Sequence, residues 1–312
     1  MRSLVCGMFL LLAAAATGRQ ALAQQVLTEP ALDRGAVMGA RGAAMADDYV
    51  SETYEVSGML TNPSALGFLE RYALLADVFL NPDGDYSRES IALPFRLDDR
   101  WVLGVRAYLE NAADRSTERL PLKFWEYGVD VAVAHNLVRF VSAGVGLSVR
   151  NASPQDGSSL SGTWSFGFTY APFTRLTYAV AYRGGREGYQ YEYDPAATST
   201  RMVLAPMTHD LSVGLSLRLP DRRTQRHFLA FSLEGDYRFY GPQEGTIFSG
   251  GLELYVFPFL AVRSGYKTGR DVETARYGAG LRFDGFSFDY AISPSRAEPR
   301  FHQFSLLIDL GG

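Results

Sequence analysis

The chain has 312 residues, with 30 basic against 34 acidic side chains and a formal net charge of −4; 47% of it is hydrophobic, 13% aromatic, and 31 residues are Gly. The charges are spread along the whole length without a basic block, which removes the electrostatic footprint of nucleic-acid binding. After residue 23 no apolar run reaches the roughly 18 residues of a spanning helix, so the pattern argues against a helical membrane protein.

Residues 1–23 read as a secretory signal. Arg2 gives a positive start, Leu4 through Ala16 form an apolar core, and Ala21-Leu22-Ala23 is a small-residue cleavage site, so the mature chain is expected to begin at Gln24. Cys6 lies inside that signal in a context unlike a lipoprotein acceptor. The mature chain is then expected to lack cysteine, which removes disulfides, thiol catalysis and cysteine-ligated metal.

Residues 24–69 lack period-two order and are rich in Ala, Gly and Met. They contain Gly39-Ala40-Arg41-Gly42-Ala43-Ala44-Met45-Ala46-Asp47-Asp48 and then Thr61-Asn62-Pro63-Ser64-Ala65-Leu66-Gly67. Small residues let backbone approach closely and Asn-Pro favours a turn, the character of a compact segment tucked into a pore.

Residues 70–312 alternate. Trp101, Leu103, Val105, Ala107 and Leu109 interleave with Val102, Gly104, Arg106, Tyr108 and Glu110; Val141, Ala143, Val145, Leu147 and Val149 interleave with Ser142, Gly144, Gly146, Ser148 and Arg150. Each such segment has a greasy face and a wet face, and about ten residues suffice for a tilted strand to cross the hydrocarbon layer. About fourteen candidates follow one another, joined alternately by short turns such as Asp98-Asp99 and by longer loops, among them Gly184 to Met207. The fold class is therefore all-β: a transmembrane up-and-down antiparallel β-barrel of about 14 strands with an N-terminal lumen or plug segment. In the long loop, Tyr189, Tyr191 and Tyr193 alternate with Gln190 and Glu192, which predicts a hairpin continuing beyond the membrane.

Two faces follow from parity. Trp164, Phe166, Phe168, Tyr170, Leu211, Val213, Phe286 and Phe288 point outward, with aromatics such as Trp101, Trp125, Tyr127, Tyr182, Tyr237 and Tyr266 near the segment ends as girdles. Inward positions collect both signs: Arg106, Arg150, Arg183, Arg218, Arg238, Arg263, Lys267, Arg276 and Arg282 with Glu110, Glu126, Asp130, Asp210, Glu234, Asp236, Glu253, Asp289 and Asp309. Such charges either line a hydrated channel or pair across a filled lumen, and both readings stand. Gly144, Gly146, Gly278 and Gly280 leave space inside for a plug or a solute.

Enzymatic chemistry is not indicated. His209 and Asp210 are adjacent on a strand and point to opposite faces, and no G-x-S-x-G, H-E-x-x-H, P-loop or calcium-loop spacing occurs. No cofactor and no metal are expected.

Asn62-Pro63-Ser64-Ala65-Leu66, preceded by small residues ending in Ala46-Asp47-Asp48, resembles the FadL-like outer-membrane superfamily, most closely its PorV/PorQ branch. Ser64 stands where that family usually has Ala, and Leu306 to Leu310 keep the alternation without a final aromatic. The resemblance implies a fourteen-stranded barrel in the bacterial outer membrane, with Asp47, Asp48, Asn62, Pro63 and Ser64 shaping a segment inside it. It implies passage or binding of a hydrophobic small molecule; for the PorV/PorQ branch it implies a type IX secretion accessory that docks exported proteins. A structural barrel without transport is the third alternative. Expected partners are outer-membrane lipid and a hydrophobic solute or secreted proteins.

Overall fold

The computed structural model describes residues 38–47, 50–51, 56–69, 72–82, 86–114, 122–153, 159–186, 189–194, 199–204, 207–220, 227–240, 244–269, 272–294 and 300–311. The expected signal, Asp48 and the side chains of Tyr189, Tyr191 and Tyr193 lie outside the described residues. The alternating region forms strands β1 (Tyr72–Leu80), β2 (Tyr86–Arg96), β3 (Trp101–Asp114), β4 (Leu122–Val138), β5 (Val141–Ser153), β6 (Ser159–Phe173), β7 (Leu176–Arg186), β8 (Tyr189–Asp194), β9 (Ser199–Leu204), β10 (Met207–Pro220), β11 (His227–Tyr240), β12 (Gly245–Phe257), β13 (Leu260–Gly269), β14 (Val272–Phe283), β15 (Phe286–Ser293) and β16 (Phe301–Gly311).

Fourteen of these close into one antiparallel barrel, in which β7 pairs with β10, while β8 and β9 make a separate two-stranded sheet in the long loop. Closure comes from β1, which pairs with β2 on one side and with β16 on the other, from Ala73 opposite Asp309 to Leu80 opposite His302. A closed sheet leaves no bare backbone edge, the condition for strands in hydrocarbon.

Burial follows the alternation. On β5, Val145, Leu147 and Val149 are exposed outward while Ser148 and Arg150 are buried inward. Phe166, Phe168, Leu211, Val213, Phe286 and Phe288 continue the exposed apolar belt around the wall, a surface suited to a bilayer. At the long-loop rim Trp125, Tyr127 and Tyr237 are exposed, and Tyr182, His209 and Phe239 stack on one another. At the short-turn rim Trp101 lies on His135, with ring centroids 4.2 Å apart.

The short turns are set by local polar bonds and by bulges. Asp98 accepts from the backbone N–H of Arg100 at 2.7 Å and of Trp101 at 2.8 Å, and these bonds hold its carboxyl below the usual carboxylate range. Register shifts at Asn136/Val138, Tyr170/Phe173 and Tyr255/Phe257 place a β-bulge at three short turns. A bulge adds one residue on one strand and re-aims the side chain that follows.

Candidate functional site in the lumen

The described parts of residues 38–69 lie against inward-facing wall side chains. Helix α1 (Ala40–Ala44) consists of Ala, Gly and Arg41, all buried. A helix of five residues cannot be stable by propensity alone, so wall contacts must hold it. Gly39 N–H donates to Asp77 Oδ1 at 3.2 Å, and Ala40 N–H donates to Ser305 Oγ at 2.9 Å. Arg41 Nε donates to Glu253 Oε2 at 2.5 Å; Arg263 Nε meets the same oxygen at 3.0 Å, and its Nη1 reaches Asp289 at 2.6 Å. These four charges form a buried ladder from α1 through β12 and β13 to β15.

The chain then turns sharply. Ala46 and Asp47 both have φ of 65°, a left-handed conformation unusual outside glycine. The turn aims Asp47 at the wall, where it pairs with Lys267 at 3.2 Å and with Arg276. Val50 N–H donates to Glu234 Oε2 at 3.0 Å.

Asn62 is fully buried and joins three parts of the fold. Its Nδ2 donates to Val50 O at 2.7 Å and to Thr169 Oγ1 on β6 at 2.8 Å, while its Oδ1 accepts from Ser64 N–H at 3.2 Å. That last bond caps the 3-10 helix Pro63–Phe68, and Pro63 at its first position gives up no needed donor. Ser64 Oγ also lies 2.7 Å from Thr169 Oγ1, and Asn136 Nδ2 donates to Gly67 O at 2.8 Å. Asn62→Ala strands these buried partners, so we expect the local opening energy of residues 56–69 to fall by about 1–3 kcal/mol. Amide exchange should accelerate there while that of β13–β14 stays unchanged.

Wall glycines accept the segment where a Cβ would not fit. A Cβ on Gly144 would come within 2.5 Å of Ser64 N, and one on Gly278 within 2.5 Å of the Ala44 Cβ. Gly146 and Gly280 differ from the expectation of open space: Ser165 occupies the room beside the first, and Asp289 with Arg263 the room beside the second. Apolar contacts complete the seat, with Met38, Val56, Met59, Leu66 and Leu69 packed on inward Leu75, Ala92, Val102, Ala132 and Ala134 of β1–β4.

Of the expected lumen charges, Lys267, Arg276, Glu234 and Glu253 touch the segment directly, and Arg263 does so through Glu253. Several others meet partners on the wall. Arg106 pairs with Asp130 at 3.3 Å, Arg238 with Asp210 at 2.6 Å, and Arg183 with Asp210 at 3.5 Å. Glu126 accepts from Tyr108 Oη at 3.1 Å, Arg150 Nε donates to Ser148 Oγ at 3.3 Å, and Asp236 accepts from Ser212 Oγ. Arg282 lies 5.2 Å over the Tyr255 ring, and Arg218 is buried. Arg41, Asp77, Asn136, Thr169, Gln303 and Ser305 escaped the sequence reading. Asp77, which also accepts from Gln303 Nε2 at 2.9 Å, was legible as an inward charge on β1; Arg41 carried no signal, because nothing local marks its partner.

A cavity of about 10 Å³ remains between Leu60 and the wall residues Gly146, Ser148, Arg150, Thr163 and Arg183, room for about one water.

No family model matches the chain, and no curated protein sequence matches it. Solved structures do. A monoaromatic hydrocarbon channel, CymD, is 13% identical, with a TM-score of 0.62 over 90% of this chain and 100% of its own. The toluene transporter TbuX of Ralstonia pickettii is 12% identical, with a TM-score of 0.61 over 87% of this chain and 97% of its own. A FadL homologue from Pseudomonas aeruginosa is 12% identical, with a TM-score of 0.61 over 88% of this chain and 98% of its own. The chain thus shares the barrel fold of these three solved proteins.

Proposed function

We propose that this protein is an outer-membrane channel of the FadL type that passes a hydrophobic small molecule through a barrel plugged by its own N-terminal segment. The observation that carries the reading is the seat just described, in which the described parts of residues 38–69 meet the wall from β1 to β16. The fold likeness to a monoaromatic hydrocarbon channel and a toluene transporter supports the solute class. The cavity beside Leu60 is too small for such a solute, and in this reading the solute passes when the segment shifts. Asp47, Asn62, Pro63 and Ser64 then fix the closed position, and the neighbouring apolar nest of Met59 and Leu66 offers the surface a greasy solute would compete for.

The test is uptake of labelled toluene by an outer-membrane-permeability reporter strain with and without this protein. We expect uptake to rise with expression and to fall again when Leu66→Asp spoils the apolar nest. A correctly inserted barrel that leaves uptake at the vector level would overturn the reading. Recovery of exported proteins on the barrel in that case would favour the secretion-accessory role.

A further inference from the structure

At the short-turn rim, two neighbouring turns differ from the other described ones. The β4–β5 turn runs Leu137-Val138-Arg139-Phe140 and the β6–β7 turn runs Phe173-Thr174-Arg175; every one of these residues is exposed, with Phe173 at 68%. Neither turn contains an acidic residue. Both follow a bulge, at Asn136/Val138 and at Tyr170/Phe173, so greasy side chains continue to the tip of the hairpin. The two turns are also tied together: Ala171 N–H donates to Phe140 O at 2.9 Å, and the Phe140 ring meets Tyr170 edge-on at 6.0 Å.

Among the described residues the other short turns lack this combination; the β10–β11 turn, residues 221–226 with Arg222, Arg223 and Arg226, lies outside them. Arg100 follows Asp98 and Asp99, the β12–β13 turn offers Pro258 and Phe259 without a cation, and the β14–β15 turn carries Asp284. Among the described short turns, cation and apolar anchor therefore coincide without an acid on one arc of the rim. Phe and Leu at the tips place these turns at the depth where acyl chains end and headgroups begin, and a guanidinium there faces phosphate. Its planar fork suits bidentate bonds to phosphate oxygens.

From this arrangement we infer that the paired turns of Arg139 and Arg175 form a binding site for an anionic phospholipid of the adjoining leaflet. The aromatic and aliphatic tips hold the acyl ends, and the two guanidiniums hold the headgroup. Turns two strands apart stand about 10 Å from each other, so one headgroup can lie between them. The site rests on the reading of the apolar belt as membrane-spanning, and the experiment separates the two.

The barrel is placed in nanodiscs of mixed phosphatidylglycerol and phosphatidylcholine, and the association of spin-labelled forms of each lipid is compared. We expect a phosphatidylglycerol preference that falls roughly fivefold with Arg139→Gln and again with Arg175→Gln, following about 1 kcal/mol per basic residue at an anionic surface. Arg100→Gln, at a position preceded by two acids, should change it less than twofold. Heat-modifiable gel mobility reports insertion and folding of each variant. An inserted barrel without lipid preference, or a double variant that keeps the full preference, overturns the lipid site alone; failure to insert at all overturns the spanning reading and the site with it.

Discussion

Deleting residues 24–68 should turn a closed barrel into a conducting one. A sheet of fourteen strands encloses more than side chains alone fill, since barrels of about eight strands are packed solid and those of 16–18 hold an aqueous channel. In the proposed reading the difference is taken up by α1, the turn at Asp47 and the 3-10 helix Pro63–Phe68, whose removal deprives Asp77, Glu234, Glu253, Lys267 and Arg276 of the segment groups they now bind. Those side chains would hydrate, and the apolar nest on β1–β4 would lose its partner. Single-channel conductance in planar bilayers should rise by roughly an order of magnitude or more, as an open lumen of this strand number implies. Conductance at the level of the intact chain would mean that the segment does not block the lumen.

Glu253→Ala should loosen α1 more than any other single substitution in the seat. It removes the carboxylate shared by Arg41 and Arg263, all three side chains being at most 5% exposed. Breaking a buried ion pair from one side costs about 3–5 kcal/mol, because the partner keeps its charge without its counter-charge. Arg263 retains Asp289, so the loss falls on Arg41 and hence on the segment. The only cysteine in the sequence is Cys6, so a cysteine introduced at Ala43 in a chain starting at Gln24 gives a clean reporter. Maleimide labelling of that site should accelerate roughly a hundredfold or more, at 1.36 kcal/mol per tenfold. The paired change Arg41→Met with Glu253→Leu removes both charges together and should restore slow labelling. Equal rates for intact chain and Glu253→Ala would show that the ladder does not hold α1.

The strand ladder was legible because its signal is local. Trp101 to Glu110 and Val141 to Arg150 state their two faces within ten residues, and the observed strands begin at the same residues and run on to Asp114 and Ser153. The hairpin at Tyr189 was legible for the same reason. Exceptions to the polar-inside rule gave no warning. Val102, Ala132 and Ala134 sit on the inward parity, and their purpose shows only in the packing of Met59 and Leu66 on them. Gly144 read simply as spare room, yet its neighbour is the backbone at Pro63 and Ser64.

By itself the sequence determined the closed sheet, its two faces and the inward placement of the charges, since side-chain direction in a strand is fixed by parity between neighbours. Tertiary structure alone decided which charges serve the wall and which hold the segment. Arg41 and Glu253 stand 212 residues apart, and Asn62 and Thr169 stand 107 apart. No short-range pattern encodes such meetings; they arise when the sheet closes around the segment and each buried donor must find an acceptor in the space that remains.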